Sequence, residues 1–306
     1  MPATRLLIVV GKGGVGRSTV SAALALQAAA TGKRVLAIDA SAGNGLGRAL
    51  GLEEPLPPGH QVSFDDPPTL VALALDTEAA LDEYVGLNLK TPISPRLVRS
   101  VARIFEYVAT AAPAVREILT IGKIGNEVRQ GSWDLVVADA PATGHAVELL
   151  SAPDTLKGLV GRGPLAADTA WISELLADPE TTSLVVVTVA EELAVSETQE
   201  LLDRLAAETT ASVSSLVVNR WPPAVTAAGR AEAASFVAGT NTTAGSRAVE
   251  INDAQLVGAI RVAVFRAARA AEEFQRLEVT GLPLRTIDEA DDPVAAAIAA
   301  LEDSGL

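Results

Sequence analysis

The sequence predicts an α/β fold with a doubly wound, mostly parallel β-sheet, and three observations lead to this prediction. Short valine-rich runs alternate with longer alanine- and leucine-rich runs, as strands alternate with helices in such folds. The first apolar run, residues 6–10, is continuous, which is typical of a strand buried on both faces. A glycine-rich segment then leads directly into a helical run at residues 20–30. No internal repeat interrupts this alternation.

The individual elements are predicted from apolar period, length and flanking turn residues. Residues 41–47 and 240–245 are predicted as loops, and residues 53–68 as an irregular surface excursion. Strands are predicted at 6–10, 34–39, 70–75, 135–138, 183–189, 213–218 and 282–286. Helices are predicted at 20–30, 77–87, 94–108, 113–131, 195–207, 254–276 and 293–301, with further helical runs between 146 and 176.

The helices at 94–108 and 113–131 lie between strands, and their connection is longer than an ordinary βαβ unit needs. They predict a short helical insertion at residues 76–131 within a single domain of residues 1–306. The second helix carries three glycines, which weaken the helical pattern. Two interpretations are open: the helices form a lid or subdomain with an apolar groove, or they simply cover the sheet.

Composition excludes several classes of function. The 306 residues carry a net charge of −14, which argues against non-specific nucleic-acid binding. Cysteine is absent, which excludes disulfides, zinc–thiolate sites and thiol nucleophiles, and the single methionine excludes a methionine-rich groove. No apolar stretch is long enough to span a bilayer, and residues 1–3 lead straight into the first strand without a signal peptide. We therefore expect a soluble cytoplasmic protein with only indirect membrane contact.

The glycine-rich segment after the first strand has the context of a phosphate-binding loop, although a plain turn is the alternative. Its glycines let backbone N–H groups face an anion, and the following helix N-terminus adds positive potential. The hydroxyl of Ser18 is placed to bind a nucleotide-bound Mg²⁺. Lys12 in second position marks a deviant Walker A motif, in which Arg17 replaces the usual lysine. The predicted nucleotide-binding residues here are Gly11, Lys12, Gly13, Gly14, Val15, Gly16, Arg17, Ser18 and Thr19.

Four further segments complete the pattern. Residues 39–51 read D-A-S-A-G-N-G-L-G-R-A-L-G, residues 139–145 read D-A-P-A-T-G-H, and residues 190–198 read A-E-E-L-A-V-S-E-T. Residues 217–220 read V-V-N-R at the end of a predicted strand. With the loop, these segments resemble the arsenical-pump-driving and tail-anchored-protein-targeting ATPase family. This ArsA-like family includes bacterial anion-transporting ATPases and is related to the MinD and ParA ATPases. The resemblance extends from Leu6 to about Pro293.

The resemblance implies a three-layer P-loop NTPase domain that binds ATP and Mg²⁺. Asp39 matches the aspartate that holds Mg²⁺ through water, and Asp139 matches the Walker B aspartate. Gly144 is similar to the glycine whose N–H approaches the γ-phosphate. The segment ending in Asn219 and Arg220 is similar to the one whose asparagine reads the adenine edge. His145 is interpreted as part of the switch, with no proton-transfer role.

Two departures from the family predict weak hydrolysis. Ser41 stands where the family has a carboxylate that orients the attacking water, and a hydroxyl does not act as a base there. Arg17 keeps a positive charge, but its planar guanidinium is wider than an ammonium. In the family, the lysine at the Lys12 position reaches across a dimer to the partner's nucleotide. The catalytic candidates are Lys12, Asp39 and Ser41; the metal candidates are Ser18, Asp39 and Asp139.

These observations predict an ATP-binding, dimeric ATPase with weak or partner-dependent hydrolysis, which acts as a nucleotide-switched targeting factor, chaperone or partner subunit. The dimer is either a homodimer or a heterodimer with an ArsA-like paralogue. The alternative is a non-hydrolysing scaffold or pseudo-ATPase that binds a hydrophobic client through its apolar helices. A ParA-like nucleoid-binding ATPase is disfavoured by the acidic charge. Arsenite prefers thiolates, so the chain is not expected to bind it.

Overall fold

In the computed structural model of the chain, the described residues are 5–41, 43–77, 79–80, 113–157, 164–222 and 253–301. They form the predicted α/β fold, with one sheet between two layers of helices. The predicted helix at 94–108, most of that at 77–87 and the predicted loop at 240–245 lie outside the described residues.

Eight described strands form a single sheet. They are β1 (Arg5–Gly11), β2 (Val35–Asp39), β3 (Gln61–Ser63), β4 (Leu70–Ala74), β5 (Leu135–Asp139), β6 (Thr182–Val189), β7 (Val213–Trp221) and β8 (Leu284–Asp288). Their order across the sheet is β3-β4-β2-β5-β1-β6-β7-β8. All neighbours are parallel except β3 and β4. The mostly parallel sheet predicted from the valine-rich runs is therefore confirmed.

The helices of the described residues follow the strands along the chain. They are α1 (Arg17–Ala30), α2 (Gly45–Ala49), α3 (Pro113–Gln130), α4 (Thr143–Lys157), α5 (Pro164–Ala177), α6 (Glu192–Glu208), α7 (Asp253–Glu278) and α8 (Pro293–Leu301). None of them combines the length and the apolar character needed to cross a bilayer.

The core lies on both faces of the sheet, and β1 shows how the sequence divides it. Leu7 and Val9 point to the face covered by α1 and α8, whereas Leu6, Ile8 and Val10 point to the face covered by α3 to α7. All five side chains are at most 1% exposed. Because both faces are covered, the run is continuously apolar rather than alternating. The carboxyl ends of the parallel strands then meet at one edge of the sheet.

Helix α3 continues through two glycines that weaken its pattern in the sequence. A Cβ on Gly125 would lie 3.0 Å from the ring of Trp171, so the glycine lets α3 and α5 approach closely. Gly131, with φ +66°, follows the end of the helix. Ile121 and Ile124 are buried in the core beside the sheet. The described part of the insertion thus packs on the sheet; the extent of a helical insertion over 76–131 stays a prediction.

Two short elements depart from the predicted loops. Strand β3 lies in the segment predicted as an irregular excursion, and α2 begins in the predicted loop at 41–47. Three residues are too few to show strand alternation, and β3 forms by antiparallel pairing with β4. Leu46 of α2 is fully buried, so tertiary packing holds this single helical turn in place.

Candidate nucleotide site

Three neighbouring strands bring the predicted site residues to one edge of the sheet. Asp39 ends β2 and Asp139 ends β5, and the two residues are register partners in the parallel ladder. The glycine-rich loop leaves β1, which lies on the other side of β5. Ser18, the second residue of α1, donates a hydrogen bond from Oγ to Oδ2 of Asp139 over 2.6 Å. The loop, both aspartates and the first turn of α1 therefore form one site.

The loop backbone requires glycine at several positions. Gly14 and Gly16 have φ values of +85° and +95°, which side chains with a Cβ rarely adopt. A Cβ on Gly16 would overlap the amide nitrogen of Asn219. By contrast, a Cβ on Gly13 or Gly14 would have no described atom within 4 Å. The Cα of Gly16 is thus packed against β7, whereas the space beside the Cα atoms of Gly13 and Gly14 is open.

Two residues at the end of β7 donate hydrogen bonds to the backbone of the glycine-rich loop. Nδ2 of the buried Asn219 donates to the carbonyl oxygen of Val15 over 2.9 Å. The guanidinium of Arg220 donates to the carbonyl oxygen of Gly14, and Arg220 itself has a positive φ of +54°. Both side chains thus hold the loop backbone, a contact that the sequence does not reveal. The reading of an adenine edge by Asn219 stays a prediction.

The two aspartates have buried oxygens without hydrogen-bond donors. Oδ1 of Asp39 accepts from the backbone N–H and the hydroxyl of Ser41, over 2.9 and 2.7 Å. Its Oδ2, like Oδ1 of Asp139, is buried and has no described donor in good hydrogen-bond geometry, although the Leu46 N–H lies near the Asp39 carboxylate and the Ser21 hydroxyl near that of Asp139. Burial raises the pKa of Asp139 to about 6. Burial also raises the pKa of Asp39, and the hydrogen bonds from Ser41 partly offset this second shift. Two such oxygens beside the Ser18 hydroxyl fit a hard divalent cation.

Arg17 joins the loop to the turn that follows β5. Its guanidinium donates to the carbonyl oxygen of Ala140, at the start of the predicted switch segment 139–145. Burial lowers the pKa of Arg17, while the charges of Asp139 and Asp39 act in the opposite direction. The guanidinium thus lies in the field of both aspartates and partly neutralises them.

Lys12 and the switch residues lie around this centre. The ammonium of Lys12 forms an ion pair with Glu197 of α6, within the segment 190–198. Gly144 is the second residue of α4, and a Cβ added to it would have no described atom within 4 Å. Exposed His145 contacts Glu148 over 3.1 Å, one helical turn further on. The segment that contains Glu197 is one of the four that resemble the ATPase family, but the sequence does not predict that Glu197 pairs with Lys12.

Comparison with known proteins finds related sequences along most of the chain. A family profile described as anion-transporting ATPase matches residues 4–163 and 165–240, which include every predicted site residue. ATPase BagA of Mycobacterium tuberculosis is 32% identical over 318 aligned positions, covering 94% of this chain and 89% of that protein. ATPase get3 of Schizosaccharomyces japonicus is 26% identical over 236 positions, covering 65% of this chain and 69% of its own.

Proposed function

The chain belongs to the anion-transporting, ArsA-like ATPase family, and from that membership we propose that it is a dimeric, weakly hydrolysing ATP·Mg²⁺ switch. The observation that carries the proposal is the pair of buried, donor-free carboxylate oxygens of Asp39 and Asp139 beside the Ser18 hydroxyl. They lie at the helix N-terminus that follows a glycine-rich loop, where phosphate groups bind. A buried carboxylate oxygen without a donor is costly unless a ligand completes it.

The residues present fit Mg²⁺. The Ser18 hydroxyl would bind the ion directly, and Asp39 and Asp139 would hold it through its water ligands. When bound, Mg²⁺ neutralises phosphate charge and orients the β- and γ-phosphates. Within the chain, Ser18 exchanges its bond to Asp139 for this role.

The loop supplies the remaining phosphate contacts. Backbone N–H groups of residues 13–18 are arranged by the glycines, and the α1 dipole favours the negative charge. Arg17 donates one N–H to the Ala140 carbonyl and has further N–H groups with which it would contact the phosphates. Through this bond, nucleotide binding at the loop would act on the turn after β5, where the switch segment 139–145 begins.

Hydrolysis is weak in this proposal because Ser41 cannot take the proton of an attacking water. Its hydroxyl donates to Asp39, so it orients that carboxylate instead. This observation also favours the second candidate, a non-hydrolysing scaffold whose nucleotide state only sets its shape. The two candidates differ in single-turnover rate, not in ATP affinity.

We further propose that the active form is a homodimer or a heterodimer with an ArsA-like paralogue in the cytoplasm, with a hydrophobic protein as client. Lys12 supports the dimer because its side chain is 34% exposed beside the loop and can reach beyond its own subunit. In a heterodimer, Lys12 would serve the partner's site even if hydrolysis at this chain's own site is slow.

Titration calorimetry with ATP, with and without Mg²⁺, tests the proposal. Asp139→Asn should reduce the Mg²⁺-dependent part of ATP affinity by about 10- to 100-fold, as the loss of a residue that supports a metal commonly does. Asp134→Asn is the control, because Asp134 lies at the opposite end of β5 and is bonded to Arg34. Equal Mg²⁺ dependence in wild type and Asp139→Asn would refute the metal assignment, and an absence of ATP binding would refute the function.

A further inference from the structure

The ion pair between Lys12 and Glu197 connects the phosphate loop to α6 within one subunit. Each side chain is 34% exposed, so the pair lies at the surface but is partly covered. Oε2 of Glu197, the atom that contacts the ammonium, is itself shielded from solvent. Because both side chains are about a third exposed, we expect this ion pair to have the modest strength of a surface pair.

Glu197 is presented from a rigid part of α6. The hydroxyl of the next residue, Thr198, donates to Thr188 of β6 over 2.8 Å and lies 2.7 Å from the carbonyl oxygen of Ala194. Thr188 and Thr198 are both buried, so this turn of α6 is fixed against the sheet. The backbone that carries Glu197 is therefore held in place against the sheet.

Lys12 has no ion pair other than Glu197 among the described residues. In particular, its ammonium pairs with neither Asp39 nor Asp139, although both carboxylates belong to the same site. The charge of Lys12 is thus withheld from the centre of its own site. A lysine that neutralises charge elsewhere has to leave Glu197 first.

We propose that Glu197 is a positioning residue that retains Lys12 in the unpaired subunit and releases it when two ATP-loaded subunits meet. This inference rests on the proposed dimeric ATP-binding function and adds the residue that controls its threshold. On pairing, the ammonium of Lys12 moves from the Glu197 carboxylate to phosphate oxygens in the second subunit. A nucleotide polyphosphate carries more charge than one carboxylate, so a nucleotide-loaded partner competes for the ammonium, whereas an empty partner does not.

The size of the effect follows from the ion pair. Partly exposed pairs are worth a factor of roughly two to five in an equilibrium constant. A homodimer breaks two such pairs, so their removal should tighten dimerisation roughly 4- to 25-fold. The difference between wild type and variant should shrink in high salt, because salt screens the pair.

The test compares Glu197→Gln with Glu200→Gln, which changes an exposed glutamate one turn along the same helix. Analytical ultracentrifugation with saturating Mg·ATP measures the dimer dissociation constant, and calorimetry measures ATP affinity. We expect Glu197→Gln to dimerise 4- to 25-fold more tightly at low salt, with unchanged thermal stability, and Glu200→Gln to behave as wild type. Lys12→Gln should fail to dimerise with or without the Glu197 change.

The outcomes separate the two proposals. Dimerisation of Glu197→Gln that is unchanged or weaker than wild type overturns the role of Glu197, as does an effect that persists undiminished in high salt. ATP binding without dimerisation of any variant, alone or with the paralogue, also overturns it while leaving the ATP-binding proposal intact. An absence of ATP binding refutes the proposed function itself.

Discussion

Gly16 is the position where a single added methyl group should affect both stability and ATP binding. Gly16→Ala places a Cβ at φ +95°, which costs about 1–2 kcal/mol of unfolding free energy. The same Cβ displaces the Asn219 amide from the Val15 carbonyl, leaving buried polar groups unpaired at about 1–3 kcal/mol. The predicted loss is about 2–5 kcal/mol, together with loss of ATP binding.

Two neighbouring glycines separate the contributions. Gly14→Ala has the backbone strain of φ +85° but no described neighbour within 4 Å, so we expect about 1–2 kcal/mol. Gly13 has neither a positive φ nor such a neighbour, so Gly13→Ala should change the unfolding free energy by less than about 0.5 kcal/mol. The three variants thus form a graded series within one loop.

Urea unfolding of the nucleotide-free protein and calorimetric titration with Mg·ATP provide the two readouts. Equal destabilisation by Gly16→Ala and Gly14→Ala would show that the packing of Asn219 against Gly16 contributes nothing. Undiminished ATP binding by a folded Gly16→Val variant would refute the phosphate-loop assignment.

Three further predictions concern the chemistry of the site. Ser41→Asp should raise the single-turnover rate of ATP hydrolysis by about 10²-fold or more, and Arg17→Lys should mainly alter ATP affinity. An unchanged rate in Ser41→Asp would show that Ser41 does not limit hydrolysis. Arsenite should neither bind nor stimulate hydrolysis, since the chain lacks cysteine; stimulation at low arsenite would contradict this. The pKa of Asp139 is about 6 in the fold and 3.8 in its ordinary state, so the fold binds this proton more tightly. With metal ions removed by a chelator, the free energy of unfolding should therefore fall by about 3 kcal/mol as pH rises from about 4 to 6, as measured by urea titration. The same fall in an Asp139→Asn protein would show that Asp139 is not its cause.

Much of the fold could be predicted because strong local patterns coincide with it. The continuous apolar run of β1 and the turn of the phosphate loop each depend on residues adjacent in sequence. The elements that the sequence did not predict, or predicted only weakly, depend on contacts between residues far apart in the chain. Helix α3 tolerates Gly125 because Trp171 of α5 packs there, and β3 exists only beside β4. Such contacts leave no periodic signal within a short segment.

The site shows the same division. The sequence motifs identified Ser18, Asp39 and Asp139, and the structure brings these three residues together at one edge of the sheet. The direction of the long side chains could not be predicted. Arg17 reaches the Ala140 carbonyl 123 residues away, and Arg220 reaches the loop across 206 residues. These contacts depend on the register of the strands, which the motifs alone do not specify.

A single-turnover experiment tests the central claim, an ATP·Mg²⁺ site that binds firmly and hydrolyses slowly. Radiolabelled ATP is mixed with excess protein and saturating Mg²⁺, and bound nucleotide and released phosphate are followed in the same samples, alone and with any ArsA-like paralogue. Nearly all ATP should be bound before a small fraction is hydrolysed, and Ser41→Asp should accelerate only the hydrolysis. Rapid hydrolysis by the wild-type chain alone, or no bound ATP at any time, would contradict it.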